Sequence, residues 1–246
     1  MPPTRTIQVL PTPDELYQAA ADEFVRVGKA AIAGRRRFTV ALSGGSTPKS
    51  LYELLAKQQK KFPWDQTFLF FEDERHVPPD HPDSNYRMVN ESLLKRIRIP
   101  AGNIYRIKAE NKDAHAAAAE YEAGLRRFFN LAPDEFPRFD LILLGMGPDG
   151  HTASLFPESQ ALKEQSRLVV ANWIEKFKSY RMTLTFPVLN GAAEVVFLIA
   201  GGDKADMAQQ VLEAAPTPPF PAQKIRPGDG SLLWMLDEAA AARLTC

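Results

Sequence analysis

Short apolar runs alternate along the chain with longer segments in which apolar residues recur every three or four positions. Runs that are apolar on both faces are typical of interior strands of a parallel sheet, and the longer segments are typical of amphipathic helices. The predicted strands are residues 7–10, 38–42, 67–71, 139–144, 168–171, 182–186, 195–200 and 232–236. This alternation predicts an α/β fold with a mostly parallel sheet covered by helices, formed by residues 1–246 as a single domain.

Helix signals fill the segments between these strands. A capping residue and early acids at 12–14 predict the first helix, whose apolar residues recur at helical spacing. The other predicted helices start at residue 48, cover 85–97 and 113–129, follow the glycine pair at 201–202, and close the chain at 238–244. Ligands of such folds bind beyond the carboxyl ends of the strands, so the residues that follow each strand are the candidates for a site.

The loop after the second predicted strand favours phosphate binding. Its glycines let backbone N–H groups turn outward, its hydroxyls add donors, and Pro48 suits the first position of a helix. The N-terminus of a helix is a ready site for an anion. The alternative is a tight turn with an ordinary helix cap, and the loop is neither a Walker loop nor a dinucleotide fingerprint. The candidate ligands are Gly44, Gly45, Ser46 and Thr47.

Charged residues at 72–76 follow the third predicted strand. Arg75 could hold a phosphate with two hydrogen bonds, and Asp73 could accept a proton or orient a sugar hydroxyl. His76 and His81 raise the alternative of a metal site. The spacing of nearby acids matches no common ligand set, and the surrounding prolines favour a stiff exposed loop, so we expect no metal.

A glycine-rich loop at 145–150 leads into His151 after the central predicted strand. Imidazole titrates near neutral pH, so His151 is a candidate general base, with Asp149 two residues before it. The alternative is a surface histidine that caps a helix. Among the basic residues, Lys176, Lys178 and Arg181 flank the predicted strand 182–186. Lys204 follows a glycine pair at the carboxyl edge of another strand.

Composition excludes several classes. The chain has 246 residues, 30 Lys and Arg against 30 Asp and Glu, and a formal net charge of zero, so it lacks the basic footprint of a nucleic-acid binder. It has no apolar run long enough to span a membrane, and its opening residues show no apolar core of a signal peptide. Its one cysteine is Cys246. We therefore expect a cytoplasmic protein with neither nucleic-acid nor membrane partners.

Seven motifs give the chain a resemblance to a known family. They are LSGGSTP, FFEDERHVP, SNYRMVNESLL, GMGPDGHTASLFP, RMTLTFPVLN, FLIAGGDKA and AQKIRPGDGSLLWMLDEAAA. In this order the motifs resemble the 6-phosphogluconolactonases over nearly the whole chain. The resemblance implies a Rossmann-like fold with helices on both faces of the sheet, and no cofactor, metal or nucleotide. It also implies hydrolysis of 6-phosphoglucono-1,5-lactone to 6-phosphogluconate in the oxidative pentose phosphate pathway.

The resemblance also suggests roles for residues. It places the catalytic base on His151, its acidic partner on Asp73, and the phosphate ligands on the glycine loop and Arg75. It places a basic ligand on Lys176 or Lys178. We expect His151 to take a proton from the attacking water and to return it to the ring oxygen that leaves. Asp149, Arg181 and Lys204 complete the expected substrate-binding set.

Two other functions compete with this interpretation. Glucosamine-6-phosphate deaminases resemble the chain, but they carry a glutamate five residues after the motif histidine, where this chain has Phe156. A phenyl ring cannot relay protons, which disfavours deamination. A sugar-phosphate sensor would bind its ligand without turnover, and such regulators usually add a DNA-binding segment. We expect a small sugar-phosphate lactone as the partner and a monomer or small homo-oligomer.

Overall fold

The computed structural model describes residues 4–58, 62–215 and 217–245, so Cys246 lies outside the described residues. Its strands are β1 (Thr4–Leu10), β2 (Phe38–Leu42), β3 (Thr67–Phe71), β4 (Asp73–Arg75), β5 (Leu141–Leu144), β6 (Val169–Ile174), β7 (Ser179–Leu184), β8 (Glu194–Ile199) and β9 (Ser231–Asp237). Its helices are α1 (Pro13–Arg35), α2 (Ser46–Gln58), α3 (Asn85–Ser92), α4 (Ala114–Phe129), α5 (Phe186–Asn190), α6 (Ala205–Glu213) and α7 (Glu238–Ala241).

Six strands form one sheet in the order β1-β9-β8-β5-β2-β3, and every neighbouring pair is parallel. All residues of β2, β5 and β8 are buried, which is why these strands appear as continuous apolar runs in the sequence. The predicted parallel sheet is therefore confirmed.

Aromatic contacts show that helices cover both faces of this sheet. Phe38 pairs in register with Thr67, so Phe38 and Phe70 point to opposite faces. Phe38 packs edge-on against Phe24 of α1, with ring centres 5.2 Å apart. Phe70 packs against Phe128 of α4 at 5.1 Å. The sheet is thus the middle layer of three, as the fold prediction required.

A second sheet of three antiparallel strands, in the order β4-β7-β6, departs from the prediction. The sequence pattern indicated that residues 168–171 and 182–186 belong to the parallel sheet, and that part of the prediction is wrong. A short turn joins β6 directly to β7, and Lys178 lies there in the left-handed region at φ 48°. Parallel neighbours need a crossover connection far longer than this turn, so the two strands can pair only as a hairpin.

The strand order places a switch point between β2 and β5. From β2 the chain moves outward to β3, and it later returns to place β5 on the other side of β2. Loops that leave two such strands diverge to opposite faces and open a crevice at the carboxyl edge of the sheet. The two loops here are residues 43–47, after β2, and residues 145–151, after β5. Within the described ranges, no helix has both the length and the apolar character needed to cross a membrane.

Candidate active site

A cavity of about 190 Å³ opens at the carboxyl ends of β2, β5 and β8. It brings together residues that the sequence places more than one hundred positions apart. The predicted site residues that line it are Gly44, Gly45, Ser46, Thr47, Asp73, Arg75, His151, Arg181 and Lys204. The crevice expected from the strand order is therefore lined by most of the predicted site residues.

The loop after β2 leads directly into α2, which begins at Ser46 rather than at Pro48 as predicted. The first turn of α2 carries no acidic residue, so the positive end of its dipole is not neutralised from within the helix. Gly45 has φ 104°, a conformation that favours glycine. A Cβ on Gly44 would lie 2.0 Å from the Asn85 side chain, so any other residue here would displace the amide that holds Asp73.

Asp73 lies at the start of β4, in the second sheet, and its carboxylate is buried. Asn85 Nδ2 donates to Oδ1 at 2.6 Å, and Ser154 Oγ donates to Oδ2 at 2.5 Å. Both oxygens are therefore held in place beside the cavity. Such a carboxylate is well placed to accept a further hydrogen bond from a water or a sugar hydroxyl.

His151 is held by contacts on two sides. Its ring stacks on the buried Phe156 with centres 3.9 Å apart and planes inclined by 23°. Its Nδ1 is hydrogen-bonded to the carboxylate of Asp149. A Cβ on Gly147 would lie 2.0 Å from the imidazole, so any other residue where the loop passes the ring would displace it. Because Nδ1 is engaged by Asp149, Nε2 is the ring nitrogen available to a ligand in the cavity.

Asp149 does not line the cavity, although it was predicted to bind substrate. It borders a neighbouring groove that Phe156 also lines. Burial raises the pKa of Asp149, but the hydrogen bond from His151 and its charge outweigh burial and hold that pKa at about 2. Asp149 is therefore ionised at neutral pH and acts on the imidazole rather than on a ligand in the cavity.

Three cations line the cavity. Arg75 Nη1 donates to the carbonyl of Asp83 at 2.7 Å, while its buried Nε has no hydrogen-bond partner among the described residues. The guanidinium of Arg181 lies 4.7 Å from the ring centre of Phe177, and burial lowers its pKa. Lys204 completes the set, 3.4 Å from Asp203. An anionic group would find compensating charge here.

The two other candidate lysines lie outside this cavity. Lys176 is exposed, lies 5.6 Å from the ring centre of Phe177, and borders the neighbouring groove. Lys178 forms an ion pair with the exposed Glu175. The geometry therefore favours Lys204 over Lys176 and Lys178 as the lysine nearest a bound ligand.

Sequence reasoning missed several residues of this region. Asn85 and Ser154, which hold Asp73, lie in motifs that it quoted without assigning them a role. Ser43 and Glu72 line the cavity, and Glu72 was noted only as one of a group of acids. Their side chains reach the cavity because β2 and β3 end side by side, a neighbour relation that the sequence pattern does not show.

The histidines near β4 do not gather ligands for a metal. His76 Nε2 contacts the carbonyl of Asn111 at 2.6 Å, and His81 Nδ1 accepts from the backbone of Asp83. Across residues 4–58, 62–215 and 217–245, no three His, Cys, Asp or Glu side chains come together in a group that could bind a metal ion.

The fold and the cavity agree with a family match. The protein-family model described as glucosamine-6-phosphate isomerases/6-phosphogluconolactonase matches residues 11–234, so the chain belongs to this family of α/β proteins. A 6-phosphogluconolactonase of Nostoc sp. is 45% identical over 242 residues, which are 98% of this chain and 99% of that protein. A human 6-phosphogluconolactonase is 40% identical over 244 residues, 97% of this chain and 93% of the relative.

A solved structure supports the same conclusion. The 6-phosphogluconolactonase from Trypanosoma cruzi superposes with a TM-score of 0.88 at 32% identity, over 100% of this chain and 99% of the other. The family resemblance inferred from the sequence motifs is confirmed.

Proposed function

We propose that this protein hydrolyses 6-phosphoglucono-1,5-lactone to 6-phosphogluconate, with His151 as the general base. The observation that carries the proposal is the cavity itself. It is lined both by the imidazole of His151, which is hydrogen-bonded to Asp149, and by the loop at the start of α2. The named activity of the close relatives supports the substrate.

The phosphate binds at the N-terminus of α2. Backbone N–H groups of residues 44–47 donate to its oxygens, and the helix dipole favours its charge. Arg75, whose Nε has no hydrogen-bond partner in the described part of the chain, supplies positive charge from β4, and Lys204 supplies it from the turn that follows β8. Anchoring the phosphate fixes the sugar ring, and this converts hydrolysis into a reaction between groups already held in place.

Hydrolysis begins with water. Nε2 of His151 removes one proton as the water oxygen bonds to the lactone carbonyl carbon, which gives a tetrahedral oxyanion and an imidazolium. The ionised Asp149 stabilises this imidazolium through Nδ1. The carbonyl oxygen takes the electron pair of its π bond, so hydrogen-bond donors beside it lower the barrier.

The second step opens the ring. The oxyanion re-forms the carbonyl, the bond between the carbonyl carbon and the ring oxygen breaks, and the imidazolium gives its proton to that oxygen. The products are a hydroxyl and a carboxylic acid, which ionises in neutral water. His151 returns to its starting state, and no covalent enzyme intermediate is needed. Asp73 positions the attacking water or a substrate hydroxyl by accepting a hydrogen bond from it, in addition to those that Asn85 and Ser154 donate.

The test is a stopped assay with freshly generated 6-phosphogluconolactone, corrected for spontaneous hydrolysis. We expect rapid turnover of this lactone, slow turnover of unphosphorylated gluconolactone, and no release of ammonia from glucosamine 6-phosphate. Binding of the lactone without hydrolysis would instead assign a sugar-phosphate sensor. Ammonia release would assign a deaminase. The structure disfavours that outcome, because Phe156 stacks on His151 at the position where a deaminase would need an acid. We place the reaction in the cytoplasm, in a monomer or small homo-oligomer.

A further inference from the structure

Glu72 is a buried acid that the proposed mechanism does not use. It follows β3 and borders the cavity, yet its side chain is almost fully shielded, with 2% of the residue exposed. Oε1 accepts a hydrogen bond from Ser43 Oγ at 2.7 Å. Oε2 is buried and has no hydrogen-bond partner among the described residues. A carboxylate in this place would leave half of its charge without compensation.

Ser43 connects Glu72 to the loop that is proposed to bind phosphate. It is the first residue after β2, directly before Gly44. The hydroxyl of Tyr52 accepts from the Ser43 backbone N–H at 3.0 Å and donates to its carbonyl at 2.9 Å. Tyr52 therefore fixes the backbone of Ser43, and Glu72 fixes its side chain. Together these contacts set where the loop begins.

The surroundings of Glu72 disfavour a negative charge. Burial, and then the charge of Asp73, raise the pKa of Glu72 well above its usual value, while the Ser43 hydrogen bond and the charge of Arg75 offset this only in part. Two buried phenols, Tyr52 and Tyr121, pack near it. The charged or titratable groups around it are Asp73, Glu74, Arg75 and, along the cavity, His151, Arg181 and Lys204.

We propose that Glu72 works as an uncharged carboxylic acid that positions Ser43, and that loss of its proton weakens binding of a phosphorylated ligand in the adjoining cavity. This inference rests on the proposed function, because it takes the loop after β2 to be the phosphate site. An acid in its neutral form can anchor the loop through Oε1 without bringing negative charge beside a phosphate dianion. Its ionised form would repel that dianion through a medium of low polarity.

The test compares dissociation constants of 6-phosphogluconate, measured by calorimetry from pH 6 to pH 9, for the wild type and Glu72→Gln. The ratio of the two constants cancels the titration of the ligand and of the other cavity groups. We expect the dissociation constant of the wild type divided by that of Glu72→Gln to be near one at pH 6. This ratio should rise at least about fivefold by pH 9, because the wild type then binds more weakly. Glu194→Gln is the matched control, because Glu194 also has a raised pKa but does not line the cavity. This control should retain the pH dependence of the wild type.

A second variant separates the charge from the anchor. Glu72→Met is uncharged at every pH but cannot accept from Ser43. Glu72→Met should bind 6-phosphogluconate more weakly than Glu72→Gln at every pH, and its dissociation constant should vary with pH as that of Glu72→Gln does. It also keeps the test decisive if Glu72→Gln does not fold. An infrared difference spectrum at pH 7 should show loss of the carbonyl band of a protonated acid in Glu72→Gln.

Two results would overturn the inference. A ratio that does not change with pH removes the role of the charge. A ratio that falls as pH rises, with no acid band in the infrared spectrum, would mean that Glu72 works as an anion beside Arg75. Failure of the proposed function would look different. Without a phosphate site, the wild type would bind 6-phosphogluconate no more tightly than it binds gluconate, and without the hydrolytic activity, the stopped assay would show no turnover of the lactone.

Discussion

Asp149→Asn tests the link between a carboxylate outside the cavity and the base inside it. The carboxylate holds Nδ1 of His151, so Nε2 is left without a proton and can accept one from water. An asparagine can either accept from Nδ1–H through its oxygen or donate to Nδ1 through its amide. The second arrangement puts the proton on Nε2 and removes the base. The variant therefore loses both the charge and the fixed tautomer while keeping the shape of the side chain.

The structure sets the size of the effect. The pKa of Asp149 is held at about 2 against an ordinary value of 3.8, which corresponds to roughly 2.5 kcal/mol of net interaction at about 1.4 kcal/mol per pKa unit. About a third of the side chain is exposed, at 32%, so solvent screening reduces this to about 1.2 kcal/mol. Transferred to the imidazolium-like transition state, that is roughly a tenfold loss in kcat. Because asparagine no longer fixes which nitrogen of His151 carries the proton, the expected loss in kcat lies between about tenfold and 100-fold.

The assay is the pH dependence of kcat and kcat/KM for 6-phosphogluconolactone. The fall in kcat should persist across the plateau of the pH profile, because the imidazolium formed in the first step has lost its anionic partner. KM should change little, since Asp149 does not line the cavity. Asp229→Asn, an exposed carboxylate that also lies outside the cavity lining, is the control. An unchanged kcat on that plateau would refute the assignment of Asp149 as the residue that orients His151.

The other predictions concern the base, the cations, one buried acid and metal dependence. His151→Ala should reduce lactone hydrolysis by at least about 100-fold with unchanged thermal unfolding, and near-wild-type turnover would remove His151 from the mechanism. Arg75→Ala should chiefly raise KM and reduce the preference for the phosphorylated lactone, whereas Lys176→Ala, outside the cavity, should leave both within about twofold. Burial, followed by the hydrogen bond and charge of Glu23, raises the pKa of Glu194 to about 7, so the folded protein retains a proton that the unfolded chain releases from about pH 4.5 upward. Wild-type stability should consequently fall relative to Glu194→Gln as pH rises from 4.5 to 7, and equal melting temperatures for the two proteins at both pH 5 and pH 8 would contradict this. Incubation with a chelator should leave turnover intact, and restoration of lost activity by one equivalent of a metal would argue against a metal-free reaction.

The sequence predicted β2 and β3 well because almost all of their residues are buried. The edge strand β1 begins at Thr4 rather than at residue 7, because its exposed residues give no continuous apolar run. Phe38–Leu42 and Thr67–Phe71 begin and end where the apolar runs do. The limits of amphipathic helices were less certain. The predicted helix 85–97 ends at Ser92 as an α-helix and continues only as a short 3-10 turn at Leu94–Arg96, because a helix limit depends on caps and contacts beyond periodicity.

Local chemistry explains why the loop proposed to bind phosphate and the proposed base stand out in the sequence. Gly44 and Gly45 lie between β2 and α2, and His151 ends the glycine-rich loop that follows β5, so each stands in a local pattern that the neighbouring residues reveal. The hairpin of β6 and β7 was misplaced for a related reason. Its strands carry apolar residues as the central ones do, and strand direction is decided by pairing rather than by composition.

The sequence by itself determined the layered α/β fold, the loops at the carboxyl ends of the strands and the residue types suited to bind a phosphate and to accept a proton. Only the tertiary structure decided that Asp149 serves the imidazole, that Phe156 stacks on it, and that Lys204 reaches the cavity while Lys176 does not. The physical reason is distance through space. Hydrogen bonds, ring contacts and shifted pKa values depend on separations of a few ångströms, and strand order sets these between residues far apart in the chain.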